Sequence, residues 1–149
     1  MAFNPSKYKQ TSADGVWADW QGGRFLIAKS GTAKHVKIQE RVFKPYKHQL
    51  NLPSFDSELR KDLMAQVAAE AILVGWDESI VDDNDKPIEY SVERAAQMLL
   101  DIPELTEFVT NFSLNHINYR AETVAETAKK SDELSSGAPT GAEKKEKQS

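Results

Sequence analysis

The stretch that decides the fold is Ser57–Trp76, which reads SELRKDLMAQVAAEAILVGW. Its larger apolar side chains recur every three or four positions, at Leu59, Leu63, Val67, Ala71 and Val74. This spacing is typical of a helix with one buried face, and the alanines at its centre favour a helix further. Gly75 follows the last of these positions, so we expect it to end the helix as a C-cap, with Trp76 folded back onto the last turn.

A β-hairpin is predicted ahead of this helix. Val16–Trp20 and Arg24–Ala28 are rich in aromatic and branched residues, and they flank a turn that contains two glycines, Gln21–Gly23. This pattern is typical of two antiparallel strands joined by a tight turn. A further helix is predicted to begin at about residue 32 and to end near Lys44, because Pro45 disfavours its continuation.

After the long helix in the sequence, branched residues lie on both sides of the polar cluster Asp82–Lys86. They predict a second, short hairpin or an extended loop. Ser91 is a typical N-cap for a helix over Val92–Leu100.

The last helix is predicted to begin at Asp101–Glu104, where the two acids have capping-box spacing and Pro103 lies in the first turn. We expect it to run to about Lys130. Its predicted apolar stripe comprises Leu105, Phe108, Val109, Phe112, His116 and either Tyr119 or Arg120.

These elements predict an α+β fold: a small, mainly helical domain with an N-terminal β-hairpin, a short second hairpin or extended loop, and a disordered C-terminal tail. We expect a flexible N-terminal arm over residues 1–13, one domain over 14–128 and the tail over 129–149. The tail contains one sizeable aliphatic residue, Leu134, and no aromatic residue. It therefore cannot bury enough apolar surface to offset the entropy lost on ordering.

Composition excludes several classes of protein. The 149 residues include no cysteine, which excludes disulfide scaffolds and thiolate chemistry. No apolar run approaches the ~20 residues of a membrane helix. The net charge of −4 conceals an uneven distribution, because residues 1–48 carry nine Lys/Arg against three Asp/Glu, whereas residues 49–128 carry five against sixteen.

The residues that carry common catalytic and metal-binding chemistry form no recognisable motif. Asp82–Asp85 fails the EF-hand pattern, since the sixth position is Pro87 or Ile88 instead of glycine, and a solvated turn is the simpler interpretation. The three histidines, His35, His48 and His116, show no ligand spacing. We therefore predict no catalytic residue, cofactor or metal, and a protein that is not an enzyme.

The uneven charge has two interpretations. The basic front half could contact nucleic acid, but its cations are mostly scattered lysines and the overall pI of about 5.4 is acidic, so we do not expect nucleic acid as a partner. The other interpretation is contact between oppositely charged faces of successive copies of the chain.

Exposed aromatic side chains are the best candidates for partner binding, because aromatic anchors concentrate binding energy at interfaces. The candidate partner-binding residues are Trp17, Trp20, Trp76, Tyr90, Phe108 and Phe112.

The central part of the chain resembles a known family. Gly75-Trp76 is followed by Asp82–Ser91, then by Leu99-Leu100 and by Pro103-Glu104-Leu105. In this order the residues resemble the tail assembly chaperones of long-tailed, siphovirus-like bacteriophages. The resemblance covers roughly residues 14–120, and Asp85-Lys86-Pro87 departs from the more usual Asp-Gly-Lys-Pro of that family.

The resemblance implies a non-enzymatic assembly factor that binds the tape measure protein and helps recruit subunits of the major tail tube protein. Such a chaperone acts in the host cytoplasm and is absent from the mature virion. Two alternatives stay open at this point. One is a structural minor tail or head–tail joining protein, and the other is a nucleic-acid-binding regulator.

Overall fold

A computed structural model describes residues 2–125 of the chain. They belong to two compact units: residues 13–115 form the central unit, and the residues up to 12 and from 116 form the terminal unit. Among the described residues, no helix has the length and apolar character needed to cross a membrane.

The predicted hairpin is present in the central unit. Strand β1 (Val16–Trp20) pairs antiparallel with β2 (Gly23–Ile27), and Trp20 lies opposite Gly23. The turn therefore contains two residues, Gln21 and Gly22, with φ of 50° and 82°. Two positive φ angles define a type I′ turn, whose twist matches that of the flanking strands.

The first helix, α1 (Ala33–Phe43), begins where the Thr32 hydroxyl accepts a hydrogen bond from the His35 N–H. A short 3₁₀ helix, Lys44–Tyr46, follows it directly. The predicted end near Lys44 is confirmed, because Pro45 has no N–H with which to continue α1.

The long helix is shorter than predicted. Helix α2 covers Ser57–Ala71, and Leu73–Trp76 forms a third strand, β3, which pairs antiparallel with β2. The carbonyl of Ile72 accepts a hydrogen bond from the Ala28 N–H at 2.7 Å. The helical assignment up to Val74 is therefore wrong, because pairing with the sheet buries this apolar run as effectively as another helical turn would.

Two predictions about the end of this segment fail with it. Gly75 is not a C-cap but lies within β3 opposite Leu26. Trp76 does not fold back onto α2 but lies opposite Phe25 in the sheet. A glycine in an apolar run is compatible with a helix C-cap and with a strand. Here the edge of β2 is available for pairing, so the segment forms a strand.

Of the second predicted hairpin, only a minimal antiparallel pairing on either side of the loop is present. Val81 and Pro87 form an isolated bridge, and the Ile88 N–H donates to the Ile80 carbonyl at 2.8 Å. In the loop between them, the carboxylate of Asp82 accepts hydrogen bonds from the N–H groups of Asn84 and Lys86. Asp82 thus closes the turn with its own side chain.

Helices α3 (Val92–Asp101) and α4 (Pro103–Leu114) meet at Ile102, which ends the first and precedes the second. Ser91 caps α3 as predicted. The predicted capping by Asp101 is wrong: α4 has no side-chain cap, and the Asp101 carboxylate accepts a hydrogen bond from Gln97 instead.

The last helix also ends earlier than predicted. Asn115 is extended, and the Ser113 carbonyl accepts a hydrogen bond from the Ser30 N–H at 3.0 Å, instead of from the next helical turn. His116 therefore lies on a short 3₁₀ helix and is exposed, not part of an apolar stripe. Residues 121–125 are helical again, and the predicted extension beyond 125 lies outside the described residues.

The core of the central unit lies between the three-stranded sheet and the helices. Helix α2 packs against α1 and α3, and α3 packs against α4. The most deeply buried members of this core are Ile27, Ala69, Leu73, Ala95, Leu105 and Val109. A smaller cluster around Phe43 and Val67 lies between α1, α2 and the segment that joins them. The α+β fold class predicted from the sequence is confirmed.

The terminal unit is built from both flanks of the central one. The Thr11 N–H donates to the Tyr119 carbonyl at 2.7 Å, and the Ala121 N–H donates to the Lys9 carbonyl at 2.9 Å. Tyr8 stacks on Phe3, and the Arg120 guanidinium lies 4.6 Å from its ring centroid. The proposed limits of the arm and domain stay predictions, and the tail predicted over 129–149 lies outside the described residues.

Candidate partner-binding groove

Three of the six predicted partner-binding residues form an aromatic ladder in the central unit. Trp20 and Phe108 stack with ring centroids 5.8 Å apart and planes 22° from parallel, and Phe112 lies 5.9 Å beyond Phe108. Phe108 and Phe112 are four residues apart on α4, so they lie on one face of the helix. Trp20 reaches them from the last position of β1.

The ladder is half-buried. Each of its rings packs against the core, yet each also keeps part of its surface exposed. The ladder therefore combines a fixed position with an apolar surface that is available to a partner, which is the usual character of an interface anchor.

An open groove of about 590 Å³ runs beside the ladder. It is lined by Trp20, Gln21, Glu104, Glu107, Phe108 and Asn111. Glu104 and Glu107 are exposed and contribute two negative charges to the rim. We name this feature the aromatic groove.

The polar residues of the aromatic groove were not predicted as site residues. Glu104, Glu107 and Asn111 repeat at three- and four-residue spacing on α4, so their common face is visible in the sequence. The sequence does not show that the turn residue Gln21 lies opposite that face, because this depends on how the hairpin packs on α4.

Trp76 and Tyr90 form a second aromatic pair, which is engaged in internal contacts. Trp76 is 8% exposed, and its indole N–H donates to the Ile88 carbonyl at 2.7 Å. The ring of Tyr90 meets it edge-on, with centroids 5.0 Å apart. The remaining candidate, Trp17, is 36% exposed on the outer side of the hairpin, under the guanidinium of Arg24.

The Tyr90 hydroxyl joins α2 to β3. Its oxygen lies 2.6 Å from the Ala69 carbonyl oxygen and 2.8 Å from that of Leu73, so its single proton is shared between two acceptors. Burial raises the pKa of this hydroxyl, and the carboxylates of Glu70 and Glu93 raise it further. A phenolate here would face two carbonyl oxygens without a proton between them.

Replacement of Tyr90 by phenylalanine is expected to lower the free energy of unfolding by about 1–2 kcal/mol, because two carbonyl groups lose their donor. The elevated pKa stabilises the folded state below the ordinary tyrosine pKa of about 10, and this contribution disappears as the pH rises through the folded-state value. Urea unfolding at neutral pH and above pH 10 measures both effects.

The variant Tyr90→Phe should therefore lose less stability between these two pH values than the natural chain does. Tyr46→Phe is the matched control, since the Tyr46 hydroxyl makes no hydrogen bond within residues 2–125. Equal stability of Tyr90→Phe and the natural chain at neutral pH would contradict the bridging role.

Within residues 2–125, no three His, Asp or Glu side chains lie close enough together to hold a metal ion. Nδ1 of His35 accepts a hydrogen bond from the Gly31 N–H at 2.9 Å, which fixes the start of α1. His48 and His116 are exposed.

The comparisons with known proteins identify a family. Residues 30–130 match the model of the YdaY prophage protein family. No curated protein and no solved structure matches the chain. Because the matched region covers about two thirds of the sequence, the chain belongs to the YdaY prophage protein family and is phage-derived.

Proposed function

We propose that this protein is a tail assembly chaperone that binds the tape measure protein and helps to recruit subunits of the major tail tube protein. In this role it is not an enzyme, it acts in the host cytoplasm, and it is absent from the finished virion. Membership of a prophage family supports a phage-related role. The sequence resemblance of residues 14–120 to tail assembly chaperones supports the specific role.

The aromatic groove is the observation that carries this proposal. A chaperone for a long helical client needs a surface that takes up the apolar face of a helix, and helix-in-groove recognition reads anchors at three- and four-residue spacing. Trp20 and Phe108 provide an apolar wall for such a helix. The groove is open, so one helix can be exchanged for the next.

The acidic rim adds a preference among clients. Glu104 and Glu107 lie beside the ladder and are exposed. They favour client segments in which Lys or Arg flanks the apolar stripe, because opposite charges speed association and exclude wrong partners.

Co-expression with the tape measure protein of the same prophage tests the proposal. The tape measure protein should be recovered in the soluble fraction and should co-elute with the chain on size exclusion. A tape measure protein that stays insoluble and unbound would contradict the chaperone role. Recovery of the chain in fixed copy number from purified particles would support a structural tail protein instead.

Asn111→Arg is expected to reduce this co-elution at least about tenfold, because the longer side chain would occupy the groove that a client helix would enter. Thr110→Arg is the matched control: it adds the same side chain to the neighbouring exposed position of α4, which does not line the groove. Both variants should have the melting temperature of the natural chain. Equal loss of co-elution in both would contradict client binding at the aromatic groove.

A further inference from the structure

A second groove in the central unit has the opposite charge. It lies along α1 and the segment that follows, has a volume of about 1010 Å³, and includes among its lining residues Val36, Lys37, Arg41, Lys44, Lys47 and Leu50. We name it the basic groove. It shares no lining residue with the aromatic groove.

The cations of the basic groove are available to a partner. Within residues 2–125, Lys37, Lys44 and Lys47 form no ion pair, and all three are exposed. Arg41 differs, because its guanidinium pairs with the carboxylate of Glu70 on α2. Three exposed positive charges that line one groove favour a partner that carries carboxylates or phosphates.

The groove also has an apolar component. Val36 is 48% exposed, Leu50 is half-buried and Phe43 is buried, and all three line the groove. A partner that bears only charge would leave this surface uncovered. The groove volume of about 1010 Å³ is similar to the volume of about two turns of a helix some 10 Å in diameter.

We infer that the basic groove binds an acidic amphipathic helix of a partner protein, with the helix's apolar stripe on Val36 and Leu50 and its carboxylates on Lys37, Lys44 and Lys47. The combination of free lysines with an apolar floor carries the inference. It extends beyond the proposed function, since the aromatic groove with its acidic rim selects helices of the opposite charge.

Nucleic acid fits the basic groove less well. The single arginine is already paired, and the one aromatic residue that lines the groove, Phe43, is buried and offers no face on which a base can stack.

The experiment uses the full chain and three fluorescein-labelled probes. The first is a fifteen-residue helical peptide with leucines along one face and glutamates beside them. The second has lysines in place of the glutamates, and the third is a single-stranded DNA oligonucleotide. Fluorescence polarisation measures the binding of each probe at low and at moderate salt.

The acidic peptide should bind, and its affinity should fall as salt rises. Binding of the lysine peptide, which the acidic rim of the aromatic groove favours, should not weaken in Lys44→Glu/Lys47→Glu. The double variant Lys44→Glu/Lys47→Glu should lower the affinity for the acidic peptide at least about tenfold, and so should Val36→Asp. The control is Lys7→Glu/Lys34→Glu, which makes the same change of net charge at two exposed lysines that do not line the groove.

Three results would overturn the inference. The acidic peptide could bind equally well to Lys44→Glu/Lys47→Glu and to the natural chain. The oligonucleotide could bind more tightly than the peptide and lose its binding in the same variant. Sedimentation could instead show that the variant abolishes self-association of the chain while the peptide does not bind. Tape measure co-elution should survive Lys44→Glu/Lys47→Glu, so the failure of this inference is separable from failure of the proposed function.

Discussion

Replacement of Trp76 by alanine is expected to lower the free energy of unfolding by about 3–5 kcal/mol, the range observed for buried tryptophan and phenylalanine truncations. The side chain is 8% exposed and lies opposite Phe25 across the β2–β3 pair. Its loss leaves a cavity beside Tyr90 and removes the donor to the Ile88 carbonyl. Urea unfolding followed by far-ultraviolet circular dichroism measures the change.

Trp17→Ala is the control for this prediction. It removes the same side chain from the neighbouring part of the sheet, but Trp17 is 36% exposed and its main partner is the guanidinium of Arg24. We expect a loss of about 1–2 kcal/mol. If Trp76→Ala does not fold, Trp76→Phe retains most of the ring volume and should cost less. Similar losses for the two alanine variants would show that Trp76 is not a core residue.

Leu105→Ala is expected to lower the free energy of unfolding by about 2–5 kcal/mol. Leu105 lies in the first turn of α4, is 1% exposed, and belongs to the main core cluster. The cavity would lie in the core cluster against which Phe108 packs. We therefore expect the variant to have a lower melting temperature and to bind the client less well at temperatures near its transition.

Leu114→Ala makes the identical chemical change at the other end of the same helix, where the side chain is 57% exposed. Its expected cost is below about 0.5 kcal/mol. Thermal unfolding of both variants measures the effect of burial on the melting temperature, because the residue type and the helix are the same in both. Equal melting temperatures would contradict the placement of α4 against the core.

Local signals were sufficient for the hairpin and for the starts of α1 and α3. Gly22 favours the tight turn between β1 and β2, and Thr32 and Ser91 each accept a hydrogen bond from the first turn of a helix. Such signals act over three or four residues, so they are visible without knowledge of the rest of the fold.

The ends of α2 and α4 could not be predicted in the same way, because distant parts of the chain determine them. The Ala28 N–H donates a hydrogen bond to the Ile72 carbonyl, and the Ser30 N–H donates one to the Ser113 carbonyl. Both donors come from the residues just after β2. A regular repeat of apolar positions indicates which residues are buried. It does not indicate whether a neighbouring strand is present to pair with them.

The candidate site was predictable in part for a similar reason. The sequence indicates six aromatic candidates for partner binding but does not distinguish among them. The division of the six into the ladder, the internal pair of Trp76 and Tyr90, and the exposed Trp17 depends on tertiary packing. Charge is easier to assign, since Glu104 and Glu107 share a helical face, as do Lys37 and Arg41, whatever the rest of the fold.

The turn of the first hairpin places stability and recognition in competition at a single residue. Gln21 adopts a positive φ of 50°, a conformation that costs a residue with a side chain about 1 kcal/mol and that glycine or asparagine adopts more readily. The same side chain lines the aromatic groove. A substitution that relaxes the backbone here would also reshape one wall of the groove, so this position is where thermal robustness and partner choice cannot be adjusted independently.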